Sequence, residues 1–472
     1  MQFTSLSGLV FIALAAVLCR IAPIRLKPAV LLGASYLFYC TWDPWMALAL
    51  LGTTAVCYGT ALRIERSRSA TTRTALLTTA VCSLVLYISF FKMQSLWAAG
   101  SSVAVPLGIS YYTFRLISYV VDVYWHRIQA ERDWIRFAAY AAFFPHLVAG
   151  PIQRAEDFLP QVRPDRTHWC SQLWRGVTRI LLGFFKKLAI ADQLSLFVNY
   201  GFAHAGQGSA LPSALAFYLF PLQLYMDFSA LTDIAIGVGL LFGIESPENF
   251  DRPFMAPNIS EFWRRWHMSL TGWLRDYVFT PLRMALRNLG KAGLVLSLTV
   301  NMVLIGIWHG IQTSFLIFGL LHSAYLIIDV LSSPMRKRYY RRYPAAGKIA
   351  AIAGPLFTYH LVAVANTFFL APTFSAGAQV LAGLAAGLAG IVDSVAAATA
   401  PPNHHAWIGI PFAAVALFGD SLLRPWQSPG FGLRPRWQRW SAYASTSVMC
   451  IFLVLMFLAG GQRATPFLYE RF

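Results

Sequence analysis

Two histidines stand where an ionisable side chain needs a reason. His267 lies in the segment Glu261-Phe262-Trp263-Arg264-Arg265-Trp266-His267-Met268-Ser269-Leu270-Thr271-Gly272-Trp273-Leu274-Arg275-Asp276-Tyr277, and His309 closes an apolar run that ends Ile307-Trp308-His309-Gly310. Ionisable groups embedded in apolar, membrane-like stretches are costly, and they usually line a pathway or a reaction site. The chemistry available to a desolvated imidazole is proton transfer: it stays neutral and can accept the proton of a hydroxyl near pH 7. Taken singly, each has an ordinary reading: His267 as a ring hydrogen-bonded to a carbonyl, His309 as a core histidine. A second histidine in an adjoining amphipathic helix favours a site.

The elements that must hold these rings are membrane helices. The 472 residues are 57% hydrophobic and 12% charged, with a positive mean hydropathy. That composition places the chain among polytopic membrane proteins. The length allows roughly ten or eleven spans of about 20 residues. We therefore expect an all-α polytopic fold in a single membrane-embedded domain over 1–472, with N-terminal spans in 1–125, a core in 126–331 and further spans in 332–472. The formal charge of +18 sits in short loops between apolar runs, which argues against nucleic acid as a partner. The clusters are Arg20/Arg25/Lys27, Arg63/Arg66/Arg68/Arg73, Arg336/Lys337/Arg338/Arg341/Arg342/Lys348 and Arg424/Arg434/Arg436/Arg439. The positive-inside rule assigns each to the cytoplasm and both termini to the outer side.

Met1 to Leu18 reads as an uncleaved first span, because it has neither a basic start nor an Ala-x-Ala site. Pro28 to Leu62 reads as a hairpin with its tip at Trp42-Asp43-Pro44 and with arms short for full spans. The six cysteines show no CxxC pairing and fall mostly in apolar runs, as buried thiols do. Phe137 to Ile152 is apolar yet contains Pro145, His146, Gly150 and Pro151, so a re-entrant segment buried against protein fits better than a lipid-facing span. Asp227 and Asp233 interrupt the long run Leu211 to Ile244 and should face protein or water. Glu245 to Lys291 carries seven Lys/Arg and five Asp/Glu. Within it, Pro257-Asn258 with Glu261 three residues on marks a helix start. Trp263, Trp266, Leu270, Trp273 and Tyr277 then follow one helical stripe, predicting an amphipathic helix at the cytoplasmic headgroups. From Lys291 the run Ala292 to Trp308 rises roughly 25 Å as a helix, carrying His309 into or across the hydrocarbon.

Five ordered motifs give these elements a family likeness. Pro106-Leu107-Gly108-Ile109-Ser110, Phe144-Pro145-His146-Leu147-Val148-Ala149-Gly150-Pro151-Ile152-Gln153-Arg154, Pro247-Glu248-Asn249-Phe250, Glu261-Phe262-Trp263-Arg264-Arg265-Trp266-His267 and Trp308-His309-Gly310 resemble the membrane-bound O-acyltransferase (MBOAT) family. The likeness is strongest to its bacterial AlgI-like branch of alginate and polysaccharide O-acetyltransferases, and teichoic acid D-alanyl transferases are more distant. It runs from about Met1 to Tyr325, while the last third resembles the family mainly in hydropathy. The resemblance implies acetyl-CoA or another acyl thioester as a donor substrate entering from the cytoplasm, with no permanently bound cofactor and no metal. It also implies a polysaccharide acceptor on the outer side, an extracytoplasmic transferase partner, and a bacterial inner membrane.

By the same resemblance, the histidine of Trp-His-Gly, His309, is the reacting one, and His267 falls on the second active-site position. The chemistry then assigns His309 as general base and His267 or a backbone amide as a donor to the oxyanion. Trp266, Trp308, Arg264, Arg265, Asp276 and His146 are candidates for lining the donor site or its tunnel. The arginines also suit headgroups without any ligand, and Asp276 a structural ion pair. Three places depart from the family pattern: Phe228-Ser229-Ala230-Leu231-Thr232-Asp233, Gly306-Ile307 before Trp308, and Leu282-Arg283-Met284-Ala285-Leu286-Arg287-Asn288. They leave acceptor identity open. Within the enzyme class, the alternative is transfer of longer acyl or D-alanyl groups to a lipid, teichoic acid or protein. The competing class is a lipid or acyl transporter, which also shows embedded carboxylates and broken helices but more often internal repeats.

Overall fold

The computed structural model describes residues 5–93, 106–147, 150–162, 169–206 and 210–389, with the single positions 414 and 467. Most of the expected C-terminal spans, Cys450 and the Arg424–Arg439 cluster lie outside them. The described residues are helical, with no strand among them. Among the described residues, six helices are long and apolar enough to cross a membrane: Pro44–Arg66, Ala70–Met93, Ala210–Leu241, Arg287–His309, Thr313–Arg342 and Pro344–Leu370. Their outer faces carry large apolar side chains, such as Leu86 at 69% and Ile352 at 81% exposure. Water would disfavour such faces and lipid does not.

The chain divides into two compact units, 1–183 with 231–248 and 184–230 with 249–472. The first holds α1 (Leu6–Ile21), α2 (Lys27–Cys40), α3 (Pro44–Arg66), α4 (Ala70–Met93), α5 (Ile109–Tyr124), α6 (Trp134–Ala142) and the single turns α7 (Phe144–Leu147) and α8 (Ala155–Phe158). α2 and α3 form the expected hairpin, and Asp43 at its tip caps α3 by accepting from Trp45 N–H at 2.7 Å. At 23 residues α3 is a full-length span rather than a short arm. The segment read as re-entrant is a broken helix, α6 and α7, whose residues from Phe137 to Leu147 are all fully buried. Phe11, Phe38 and Phe144 close its core with ring centroids 5.1–6.0 Å apart. Cys19 and Cys57 are buried thiols as expected, whereas Cys40 and Cys82 are exposed.

α9 (Trp169–Phe185) passes through a π-helical turn, Lys186–Ala191, into α10 (Asp192–His204). α11 (Ala210–Leu241) supplies residues to 230 to the second unit and the remainder to the first. Both of its carboxylates face protein. Asp233 accepts from Arg179 Nε at 2.6 Å, and the same guanidinium grips Glu248 at 2.9 and 2.5 Å. Asp227 meets Lys187 at 2.7 Å, with Asp192 3.0 Å from the same ammonium. Pairing is what makes such buried charges tolerable.

The second unit continues with α12 (Ile259–Arg265), α13 (Met268–Leu274), α14 (Thr280–Ala285), α15 (Gly290–His309), α16 (Thr313–Arg342), α17 (Pro344–Leu370) and α18 (Phe374–Ala389). α15 and α16 form an antiparallel hairpin whose backbones nearly touch. A Cβ on Gly306 would lie 2.3 Å from Phe315 O, and one on Gly319 would lie 2.7 Å from Met302 O. Small residues at such a crossing allow close helix approach in lipid. Each glycine stands three residues before a histidine, His309 or His322.

Candidate active site

The expected amphipathic helix is two helices with a break at His267. Asn258 caps α12, its side chain accepting from Glu261 N–H at 2.9 Å, as its position before Ile259 predicts. Asp329 on α16 secures the same end by accepting from Ser260 N–H at 3.1 Å and from the Ser260 hydroxyl. The helix stops because Trp266 is extended and His267 adopts the left-handed conformation, φ 43°. That conformation is uncommon for a side-chain-bearing residue and persists only where surrounding contacts enforce it. Here 249–251 does so: Met268 N–H donates to Asn249 O at 2.8 Å, and Asp251 N–H to Arg265 O at 2.9 Å. The tryptophan stripe packs against protein, with Trp263, Trp266, Leu270 and Trp273 all below one-tenth exposed.

The break turns His267 inward, where it is 1% exposed. Its Nδ1 lies 3.3 Å from Asn249 Oδ1, which also accepts from Ser269 Oγ at 2.5 Å and Ser269 N–H at 3.3 Å. A backbone N–H can only donate, so the shared atom is the amide oxygen and His267 Nδ1 must carry the proton. Burial holds this imidazole neutral, its pKa lowered to about 3. Neutral and protonated at Nδ1, His267 presents an acceptor at Nε2. It therefore lacks the Nε2 proton that the oxyanion-donor role expected of it would need.

His309 ends α15 and is half-buried among aromatic rings. Trp308 and Phe369 lie 4.5 and 4.7 Å away between centroids, and Phe315 and Phe318 lie at 6.1 and 6.4 Å. The Trp308 ring is also 6.2 Å from that of His267. His267 and His309 line one narrow cavity with Leu224, Phe262, Trp263, Trp266, Leu270, Ile305, Phe318, His322, Asn366 and Phe369. The two histidines chosen from sequence are thus brought together, with Trp266 beside them.

The other candidates lie elsewhere. Arg264 and Arg265 both pair with Glu261, at 2.7 and 3.0 Å, and Arg264 is largely exposed. Asp276 pairs with Arg275 at 2.7 Å. None of these three lines the cavity. His146 is fully buried in the first unit, with Nε2 2.8 Å from Ser246 Oγ, and its pKa is pushed well down by burial and then by the Arg115 charge. Sequence reasoning assigned no role to Asn249, His322 or Asn366. For His322 a signal was available, since the argument that singled out His309 applies equally to a histidine in the apolar run of α16.

Residues 43–370, a stretch that includes every cavity-lining residue, match the membrane-bound O-acyltransferase family. The chain belongs to that family. Among this MBOAT chain's relatives is the probable alginate O-acetylase AlgI of Pseudomonas syringae pv. tomato, 37% identical over 324 residues, which are 65% of this chain and 61% of the relative. A peptidoglycan O-acetyltransferase of Helicobacter pylori is 29% identical over 399 residues, covering 76% and 73% of the two chains. A teichoic acid D-alanyltransferase of Bacillus subtilis is 30% identical over 273 residues, covering 54% and 66%. This MBOAT chain spans under two thirds of the length of the alginate O-acetylases it matches.

Proposed function

We propose that the protein is an O-acyltransferase of a bacterial inner membrane, moving acetyl from acetyl-CoA to hydroxyls of an exported polysaccharide. The observation that carries this reading is the meeting of His267 and His309 in one aromatic-walled cavity of a family member. The names of the alginate and peptidoglycan O-acetyltransferase relatives support acetyl as the group and a polysaccharide as the acceptor. In the reaction, the acceptor hydroxyl attacks the thioester carbonyl while His309 takes its proton. The tetrahedral intermediate expels the coenzyme A thiolate, and the imidazolium of His309 returns the proton to that sulfur. His267, an acceptor in the same cavity, stabilises the positive charge that appears on His309 during transfer. The donor arrives from the cytoplasm, and an extracytoplasmic transferase completes delivery to the glycan.

The test is release of coenzyme A from acetyl-CoA by the purified protein in detergent, beside an equally folded His309→Ala variant. Turnover in the parent that collapses in the variant is the expected result. Equal turnover in both would remove His309 as the base. No turnover in the parent, with acceptor and partner supplied, would favour a transporter or a longer-acyl transferase.

A further inference from the structure

The cavity carries two polar side chains that the proposed chemistry does not use. His322 is 1% exposed and Asn366 4%. Trp263 Nε1 lies 3.3 Å from His322 Nδ1. An indole N–H can only donate, so Nδ1 of His322 is the acceptor and its proton sits on Nε2. Among the described residues, neither His322 Nε2 nor the Asn366 amide has a hydrogen-bond partner, yet both residues line the cavity. In an apolar chamber, unused capacity of this kind is costly unless a ligand satisfies it.

Their position separates them from the reacting centre. Ser323 Oγ donates to Thr299 Oγ1 at 3.1 Å, and Gly306 faces Phe315. That register places His309 level with the start of α16, and His322 some nine residues along. At 1.5 Å per residue their backbone positions are roughly 13 Å apart along the hairpin, although the two rings lean towards each other around Phe318. Phe318 fills the interval, 6.4 Å from His309 and 4.7 Å from His322. Asn366 likewise stands one turn before Phe369, the ring against His309. The pair thus lies between His309 and the basic end of α16 at Arg336–Arg342, the end assigned to the cytoplasm, where a thioester donor would enter.

One donor proton and one amide side chain, flanked by aromatic rings, match a secondary amide. We propose that His322 and Asn366 form a recognition site for an amide of the donor's pantetheine arm: His322 Nε2–H donates to the amide carbonyl, and Asn366 Oδ1 accepts from the amide N–H. The site fixes how far the arm enters, and so delivers the thioester carbon to His309. This inference rests on the acyl-thioester reading above and adds the part of the donor that is read.

The experiment compares kcat/KM for S-acetylpantetheine, which has the amides, with that for S-ethyl thioacetate, which has none, in the parent, Asn366→Leu and His322→Phe. The parent should prefer the amide-bearing donor, and each variant should reduce that preference by about tenfold, one hydrogen bond's worth. A ratio that stays at the parent value in both variants overturns the proposal. Trp263→Phe, which keeps a ring but releases the His322 tautomer, should reduce the ratio in the same direction and serves if His322→Phe fails to fold. Calorimetric binding of coenzyme A needs no turnover. If the parent binds it without catalysis and Asn366→Leu binds it about tenfold less tightly, the amide site stands and the transferase reading falls; unchanged binding overturns the amide site.

Discussion

Asn249→Ala is the perturbation that most directly tests how the site is held. Asn249 is fully buried, and its Oδ1 receives His267 Nδ1–H and two donors from Ser269, at 3.3, 2.5 and 3.3 Å. Removing the acceptor strands the buried His267 Nδ1–H, whereas the two Ser269 donors sit in a half-buried residue and can turn to other partners. A buried donor left without an acceptor costs about 1–3 kcal/mol. The half-buried Ser269 donors add little to this, so the total stays at about 1–3 kcal/mol by the same reckoning. The backbone bond from Met268 N–H to Asn249 O survives the change, so the loop should still form. What is lost is the fixed tautomer and ring orientation of His267. We expect kcat for thioester turnover to fall about tenfold, roughly 1.4 kcal/mol of transition-state stabilisation. The assay is thermal unfolding of the detergent-solubilised protein followed by tryptophan fluorescence, together with coenzyme A release at saturating acetyl-CoA. A variant with the parent's melting temperature and the parent's kcat would refute the idea that Asn249 holds His267 in its working state.

Two further outcomes follow from buried charge and buried neutrality. Because the pKa of His267 is about 3 in the folded chain against 6.5 for an ordinary histidine, the unfolded chain binds this proton first as pH falls. The contribution to stability is full above pH 6.5 and shrinks toward pH 3, with about 2 kcal/mol gone by pH 5. His267→Gln should accordingly lose less thermal stability than the parent between pH 7 and pH 5, and identical slopes would remove the burial argument. Arg179→Met removes the cation shared by Asp233 and Glu248 and should destabilise by about 3 kcal/mol. Arg179→Lys should restore only part, since an ammonium cannot grip Glu248 through two nitrogens while bonding Asp233. Full recovery of the melting temperature in the lysine variant would contradict that geometry.

The sequence carried the parts of this fold that depend on local rules. The Asn258 cap, the α2–α3 hairpin, the broken buried segment around Pro145 and the turning of Asp227 and Asp233 away from lipid all follow from residue types and spacing. The break at His267 does not. Helical periodicity reads Trp263 to Tyr277 as one stripe, and only the backbone pairing with Asn249 and Asp251, many residues earlier in the chain, overrides it. Periodicity did not show that Glu261, three and four residues away, pairs with both Arg264 and Arg265. Asn366 was invisible because a short amide side chain in an apolar run announces neither its partner nor the lack of one, and the motif that holds Asn249 did not say that its amide would meet His267.

The chamber also shows how polarity can be built where charge is expensive. A charged imidazole in a low-polarity cavity is strongly penalised, so a membrane site gains directionality more cheaply from tautomers than from protonation. Each neighbour that fixes a tautomer here has a single option. Trp263 Nε1 can only donate, which forces His322 to present its proton at Nε2; Asn249 Oδ1 can only accept, which forces His267 to present a lone pair there. Two chemically identical side chains become complementary without either being ionised. The Gly306–Gly319 crossing then sets the spacing, because both His309 and His322 follow their glycine by one helical turn. A methyl group added at either glycine would separate α15 from α16 and move both rings, so that the donor recognition and the proton transfer proposed for them would fail together rather than one at a time.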